Sequence, residues 1–244
     1  MKKEKHDTTI HEKHFQGKQI HDVILGGQDG LVNVLGIVLG VASATNNPIV
    51  VMVAGLVATL AETIAMAAVA YTSVKADRDY YYSERKLEER EVDTIPDHER
   101  EEIYNIYRKK GFKGKLLEKI VKVITSKKKV WVDTMMTEEL NLSLKFGGSP
   151  LKSAGVVFVS TLIGSVIPLI PFALLPVTNA IITSLILSVV VLFIVGVVKA
   201  RLTVGNWFRS GLELAAIGTL AALTGYFVGL GLGKLFGTNV GGIG

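Results

Sequence analysis

Three acidic residues lie within long apolar stretches of this chain, which contains 22 Asp and Glu residues in all. They are Asp29, Glu62 and Glu213, and a carboxylate inside a bilayer is costly enough that it usually marks an ion pathway. At helical spacing Asn33 shares a face with Asp29, and Met66 lies one turn after Glu62. Carboxylate oxygen combined with thioether sulfur favours a first-row transition ion over Mg²⁺ or Ca²⁺. The pattern predicts a cation pathway lined by Asp29, Asn33, Glu62 and Met66.

Three of these residues, Asp29, Met66 and Glu213, also have an ordinary structural interpretation. Asp29 lies near the start of its apolar stretch, where it would cap a helix, and a single Met in a membrane helix commonly fills packing space. Glu213 follows Arg209 by four residues. We therefore expect a local ion pair at Glu213 rather than a transport role.

Further along the first apolar stretch, the face that carries Asp29 has only small residues, because Gly36 and Gly40 follow at helical spacing. A Gly36-x-x-x-Gly40 pair allows two helix backbones to approach closely. One interpretation is contact between two copies of this helix about a two-fold axis, which predicts a homodimer with a pore lined twice by Asp29. The alternative is ordinary glycine packing.

A second group of acids recurs at helical spacing in a highly charged segment. Residues three apart share a helix face, and carboxylates three apart on facing helices build the di-metal sites of ferritin-like bundles. The alternative is a solvated face whose glutamates pair with the abundant Lys and Arg. The candidate metal ligands are Glu88 with Glu91, Glu99 with Glu102, and Glu139 after Met135 and Met136.

Five apolar stretches must position these groups, and each approaches the roughly 20 helical residues that cross a hydrocarbon core. The sequence therefore predicts an all-α polytopic membrane protein with five transmembrane helices. A helical metal-binding domain is inserted between the second and third, and we expect it to be cytoplasmic. The stretches cover residues 26–45, 48–74, 153–175, 177–198 and 210–233.

Basic residues predict the orientation, because loops rich in Lys and Arg stay in the cytoplasm. By this rule 26 of the 27 Lys and Arg lie on one side, which places the N-terminus inside and the C-terminus outside. Contact with anionic lipid headgroups accounts for the excess of positive charge, and no nucleic-acid-binding motif accompanies it. The absence of cysteine excludes disulfides and thiolate metal sites.

The predicted organisation has five parts, and the inserted domain has four helices. We expect the helix of the second span to continue to about Arg90, and a helix to start around Pro96 and end at Gly111. Two more should cover residues 114–126 and 128–142. The parts are an N-terminal cytoplasmic arm (1–22), a transmembrane hairpin (23–75), the cytoplasmic metal-binding domain (76–150), transmembrane helices three to five (151–236) and an extracytoplasmic tail (237–244).

From about residue 20 to residue 232 the chain resembles the vacuolar iron transporter family. Several specific motifs carry the resemblance, and they occur in both the apolar stretches and the charged segment. They are Gly26-Gly27-Gln28-Asp29-Gly30-Leu31, Ala65-Met66 with Tyr71, Ile95-Pro96-Asp97 with Glu99 and Glu102, Trp131-x-Asp133-x-Met135-Met136 with Glu139-Leu140, and Pro168-Leu169-Ile170-Pro171.

The resemblance implies a homodimer in the lipid bilayer that exports cytosolic Fe²⁺ in exchange for protons. It places Asp29 and Met66 on the membrane path, and it implies no tightly bound cofactor. Mn²⁺, Co²⁺, Ni²⁺ or Zn²⁺ are further ions that the cytoplasmic site would accept. The membrane would be the plasma membrane in a prokaryote and a vacuole-like membrane otherwise. The residues that match the family's cytoplasmic metal-binding set are Glu88, Glu91, Glu99, Glu102, Met135, Met136 and Glu139.

The chain departs from the family pattern at two places. Plant members carry an acid two turns before the Met of the second span, where this chain has Ala58, and Glu62 lies only one turn before Met66. Their Thr-Val-Pro after Asp-Gly-Leu is replaced here by Val32-Asn33-Val34. Without that proline we expect a straighter first span.

Two other functions fit parts of the pattern. A membrane-anchored, ferritin-like ferroxidase or iron-sequestering protein would use the insert, but the insert has no Glu-x-x-His motif, because His98 precedes Glu99. A Mn²⁺ or Zn²⁺ exporter on the same scaffold is the other alternative, since carboxylates accept Mn²⁺ readily.

Overall fold

The computed structural model describes residues 16–143, 149–202 and 205–237, with side chains described from residue 19 onward. The described residues are helical and contain no strand. The helices are α1 (Gln16–Thr45), α2 (Pro48–Thr94), α3 (Pro96–Lys109), α4 (Gly114–Ile124), α5 (Lys128–Thr134), α6 (Pro150–Val166), α7 (Ile170–Leu174), α8 (Val177–Leu202) and α9 (Trp207–Leu235).

Five helical segments are long and apolar enough to cross a membrane, as the sequence predicts. Many of their large apolar side chains are exposed, among them Ile49 on α2 and Leu220 on α9. Lipid rather than water suits such a surface. The five segments are Gln19–Thr45, Pro48–Thr94, Pro150–Leu174, Val177–Leu202 and Trp207–Leu235.

The chain divides into two compact units. The apolar unit combines the described residues up to Ala70 with those from Leu151 onward, and the charged unit is Tyr71–Pro150. The long helix α2 contributes its first part to the apolar unit and its remainder to the charged unit. It ends at Thr94 rather than near Arg90, because nothing disfavours helix before Ile95, the residue that precedes Pro96.

Within the apolar unit α1 packs along α9 through four glycines. A Cβ on Gly225 would lie 2.1 Å from the Gly36 carbonyl oxygen, and a Cβ on Gly229 would lie 2.0 Å from that of Gly40. The prediction that the Gly36 and Gly40 pair meets a second copy of α1 is therefore wrong. These glycines already hold a helix of the same chain, and only glycine permits backbones this close.

Helix α1 starts ten residues before the apolar stretch, so its first turns are polar. Asp22 is buried there, and its Oδ2 accepts a hydrogen bond of 2.6 Å from Ser153 Oγ on α6. Further along the same contact, Gly26 faces the hydroxyls of Ser160 and Thr161. Glycine and hydroxyl side chains thus set the close approach of α1 to α6.

The α-helix of the third apolar segment is interrupted at Pro168, because proline removes a backbone hydrogen bond. Helix α6 ends at Val166, residues Ile167–Leu169 form a 3₁₀ turn, and α7 continues from Ile170. Ser184 of α8 donates a hydrogen bond of 2.8 Å to the Pro168 carbonyl oxygen at this bend. A neighbouring helix therefore satisfies a backbone group at the break.

In the charged unit the amphipathic helix α4 covers an apolar core. Leu117, Val121 and Ile124 of α4 are buried in one cluster with Ile103 of α3 and Trp131 of α5. The same cluster includes Met135 and Met136. This core fixes the short helices against one another, so the polar groups at their edges have defined positions.

Because a Cβ on Gly225 would clash with the Gly36 backbone, we expect Gly225→Ala to lower the thermal unfolding midpoint of the detergent-solubilised protein by roughly 5 °C. Gly231→Ala is the matched control on the same helix, since a Cβ there meets nothing within 4 Å. Equal midpoints for the two variants, measured by differential scanning fluorimetry, would show that α1 and α9 do not pack through Gly225.

Candidate functional site

Helices α2 and α3 bring the glutamates of the charged unit together through a one-residue turn. Only Ile95 separates Thr94 from Pro96, and its amide donates to the Glu91 carbonyl oxygen at 2.8 Å. One carboxylate oxygen from each of Glu88, Glu91 and Glu99 lies within 4.8 Å of the others. Three oxygens at these separations suit the ligand shell of one divalent ion.

Two of these carboxylates are buried and incompletely bonded. Glu88 is 5% exposed and Glu99 is 2% exposed. The Oε2 atom of each is inaccessible to solvent and has no hydrogen-bond partner. Leaving a buried carboxylate oxygen unsatisfied is costly, and such groups normally pair with a cation or coordinate a metal.

Burial and mutual repulsion make these carboxyl groups hard to ionise. Burial, followed by the negative charge of Glu139, raises the pKa of Glu88 to about 7. Burial, followed by the charge of Glu102, raises the pKa of Glu99 to about 7. The pKa of Glu139 is also raised, by burial first and then by Glu102 and Glu91. These carboxyl groups therefore act on one another electrostatically. We call them the glutamate cluster, which consists of Glu88, Glu91, Glu99, Glu102 and Glu139.

In the described part of the chain no Lys or Arg lies within 4.0 Å of a carboxylate of the glutamate cluster. The cationic side chains that do form ion pairs bind other acids. The structure therefore differs from the solvated, ion-paired face that was the alternative for these residues. The pairs are Arg85 with Asp133 and Glu89, Arg100 with Asp97, Lys110 with Glu138, and Lys128 with Asp93.

Met135 and Met136 begin a π turn that covers Met135–Glu139, so the predicted single α-helix over 128–142 is wrong. The Leu140 amide bonds to the Met135 carbonyl oxygen at 3.2 Å, five residues back. A π turn changes the direction of the side chains that follow it. Both methionines are fully buried in the apolar core, whereas Glu139 belongs to the glutamate cluster.

Arg85, which the sequence analysis did not select, joins the π turn to α2. Arg85 Nη1 on α2 donates to Asp133 Oδ1 at 2.6 Å, and it also donates to the Tyr81 hydroxyl at 3.3 Å. Asp133 lies two residues before Met135, so this ion pair joins α2 to the start of the turn that carries Glu139. Its only signal in the sequence is the Trp131-x-Asp133 motif.

The apolar unit assembles the predicted membrane residues on adjacent helices. Asn33 Nδ2 donates to Glu62 Oε1 at 3.0 Å, and the Asp29 carboxyl group lies near Glu62. Met66 is half-buried one turn further along α2. Asp29 is not a helix cap, because α1 begins at Gln16. Asp29, Asn33 and Glu62 thus form one polar group between α1 and α2.

Not every predicted neighbour joins this polar group. Gly55 on α2 packs against Leu169 and Val38, where a Cβ would lie 2.2 Å from Leu169 Cδ2. The expected ion pair between Arg209 and Glu213 is absent, and both side chains are exposed. In the first turn of α9 the interactions are instead made by Asn206, whose Oδ1 accepts from the Phe208 and Arg209 amides.

The chain has five apolar spans, with paired carboxyl groups between the first two, and a separate acidic cluster. These features define a polytopic membrane protein with candidate cation sites. Residues 20–230 match the VIT family, and the chain belongs to that family. "Vacuolar iron transporter 2" of Oryza sativa subsp. japonica is 33% identical over 217 residues, 88% of each chain. "Vacuolar iron transporter 1" of Eucalyptus grandis is 31% identical over 88% of this chain and 87% of its own. "Vacuolar iron transporter" of Toxoplasma gondii is 31% identical over 89% and 76%.

The raised pKa values of Glu88 and Glu99 predict how pH affects the metal-free protein. Their folded-state pKa of about 7 lies above the ordinary value of 4.5. The folded chain therefore holds more protons than the unfolded chain between these values, and the free energy of unfolding decreases as pH rises from about 4.5 to about 7. We expect the thermal unfolding midpoint to be roughly 5 °C lower at pH 8 than at pH 5.5, and Co²⁺ to reverse this loss at pH 8.

The matched variant for this measurement is the double substitution Glu88→Gln and Glu99→Gln. It should flatten the pH dependence and remove the effect of Co²⁺. A double variant whose pH dependence equals that of the unmodified chain would mean that other groups cause it.

Proposed function

We propose that this chain exports Fe²⁺ from the cytosol in exchange for protons. The observation that carries the proposal is the glutamate cluster, which buries two unpartnered carboxylate oxygens and pairs with no Lys or Arg among the described residues. The relatives support iron as the transported ion, because they carry the name vacuolar iron transporter. Transport rather than catalysis is also what these names indicate.

The proposed topology puts the charged unit on the cytoplasmic side, as the cytoplasmic metal-binding domain 76–150. The distribution of Lys and Arg supports this, with the N-terminus inside and the C-terminus outside. The hairpin 23–75 and the helices of 151–236 would then span the membrane. Most of the arm 1–22 and of the tail 237–244 lies outside the described residues. The membrane is the plasma membrane in a prokaryote and a vacuole-like membrane otherwise.

The glutamate cluster is the proposed collecting site for the cation. Its carboxylates supply hard oxygen ligands, and Met135 and Met136 are the proposed sulfur ligands, which would favour a transition ion. Both methionines are buried in the core, and a ligand role requires their sulfur atoms to reach the carboxylates of the glutamate cluster. Met is suited to this because its side chain is unbranched and flexible. Mn²⁺, Co²⁺, Ni²⁺ and Zn²⁺ are further ions that the same ligands would accept.

The polar group between α1 and α2 is the proposed membrane step. Asp29 and Glu62 lie close enough to share a proton, Asn33 orients Glu62, and Met66 offers a thioether one turn away. A divalent cation that binds two carboxylates displaces their protons. Metal and protons therefore compete for the same two groups, which produces exchange if access alternates between the two sides.

A homodimer would place this polar group on a path between protomers. The glycines of α1 are engaged by α9, so the two-fold contact must use another face. Asn33 and Ile37 are exposed on α1, and Leu56 and Leu60 are exposed on α2. We propose that the partner covers this surface, which adjoins Glu62.

The proposed membrane step predicts that Asp29→Asn lowers Fe²⁺ flux into proteoliposomes at least tenfold, because the variant cannot release a proton in exchange for metal. Flux is measured under an imposed pH gradient, with a pH-sensitive dye reporting proton movement in the opposite direction. Glu213→Gln is the matched control, since this exposed acid of α9 lies outside the polar group, and it should transport at the unmodified rate.

Three results would contradict this account. Flux by Asp29→Asn at the unmodified rate would remove Asp29 from the path, and flux without proton movement would exclude exchange. If Fe²⁺, Mn²⁺ and Zn²⁺ compete and Mn²⁺ or Zn²⁺ is transported preferentially, iron is not the preferred cargo.

A further inference from the structure

His98 lies in the first turn of α3, directly beside the glutamate cluster. Its Nδ1 atom is 3.8 Å from Glu99 Oε1 and 3.6 Å from Glu102 Oε1. These separations exceed a hydrogen bond, so the imidazole is not simply bonded to either carboxylate. One ligand atom from each of the three residues lies within 4.8 Å of the other two.

The separations around His98 match those of ligands that share an ion. Two ligand atoms bound about 2.1 Å from an ion in tetrahedral geometry are about 3.4 Å apart. The imidazole therefore needs to approach each carboxylate by only a few tenths of an ångström to share an ion with it. The His98 side chain is 64% exposed, so an ion can reach this position from solvent.

Glu99 connects this position to the buried part of the glutamate cluster. It belongs both to the group with His98 and Glu102 and to the group with Glu88 and Glu91. Its Oε1 faces His98, whereas its Oε2 is buried and without a hydrogen-bond partner. The unpartnered oxygen is an observation independent of the spacing, and it indicates that this carboxylate is built to hold a cation.

We propose that His98 is a nitrogen ligand of an outer metal position completed by Glu99 and Glu102. This inference rests on the proposed collecting site and adds a selectivity to it. Imidazole suits Fe²⁺, Co²⁺ and Zn²⁺, whereas ions that prefer only oxygen, such as Mn²⁺ and Ca²⁺, gain little from it. The outer position admits nitrogen-binding transition ions first, and Glu99 passes them to the buried glutamates.

The test compares Co²⁺ and Mn²⁺ affinity of the full chain in detergent at pH 7.5, by isothermal titration calorimetry. His98→Gln should weaken Co²⁺ binding at least tenfold and change Mn²⁺ binding less than about threefold. The matched control is His21→Gln, because His21 is also exposed and lies 3.6 Å from an acid, Asp22, but outside the glutamate cluster. It should leave both affinities unchanged.

A spectroscopic measurement separates ligation from an indirect effect. In protein labelled with ¹⁵N-histidine, Zn²⁺ should shift one pair of imidazole nitrogen resonances, and this pair should be missing from His98→Gln but present in His21→Gln. Unchanged Co²⁺ affinity, or no shifted resonance that belongs to His98, would overturn the ligand. An equal loss of Co²⁺ and Mn²⁺ binding would overturn the selectivity.

Glu99→Gln distinguishes failure of this inference from failure of the proposed function. If Glu99→Gln abolishes Co²⁺ binding while His98→Gln does not affect it, the collecting site stands and His98 is not part of it. If neither substitution changes Co²⁺ binding, the collecting site itself is wrong.

Discussion

The charged unit is dominated by the mutual repulsion of clustered carboxylates that pair with no Lys or Arg in the described part of the chain. Glu88 and Glu99 are buried, each has an oxygen without a partner, and the pKa of each is raised to about 7. The neighbouring Arg and Lys residues are engaged by Asp133, Glu138 and other acids outside the cluster. The carboxylates therefore repel one another, and either protonation or the proposed binding of a divalent cation would relieve this repulsion. Because protons and the cation would compete for the same oxygens, metal binding would depend on pH.

In the apolar unit, close packing of α1 positions the ionisable groups Asp29 and Glu62. Glycines and small hydroxyl side chains allow α1 to approach α9 and α6 closely, and the hydrogen bond from Ser153 to buried Asp22 adds to the contact with α6. Asp29 and Asn33 lie nearer the start of α1, before the glycines that meet α9, and Asn33 donates a hydrogen bond to Glu62 of α2 there. Tight packing of α1 thus holds the ionisable groups in place, and the proposed ion binding would offset the cost of burying them.

Sequence patterns predict the parts of this protein that depend on local physics. The five apolar spans, the break at Pro168, the start of α3 at Pro96 and the grouping of Asp29 with Glu62 all follow from hydropathy, proline chemistry or helical spacing. The partner of Gly36 and Gly40 does not, because a small-residue face is equally suited to a second copy or to α9. The π turn at Met135 and the Arg85–Asp133 pair depend on packing between helices, which spacing along one helix does not contain.

The most direct test of the account is the concentration dependence of Fe²⁺ flux for the double variant Glu88→Gln and Glu99→Gln. The control is Glu89→Gln with Glu138→Gln, two acids that pair with Arg85 and Lys110 instead. If the glutamate cluster collects the cargo, the first variant should transport at least tenfold more slowly at low Fe²⁺ and recover toward the unmodified rate at saturation, while the control transports normally. Equal flux by both variants at every Fe²⁺ concentration would contradict the claim that the cluster supplies the transport path.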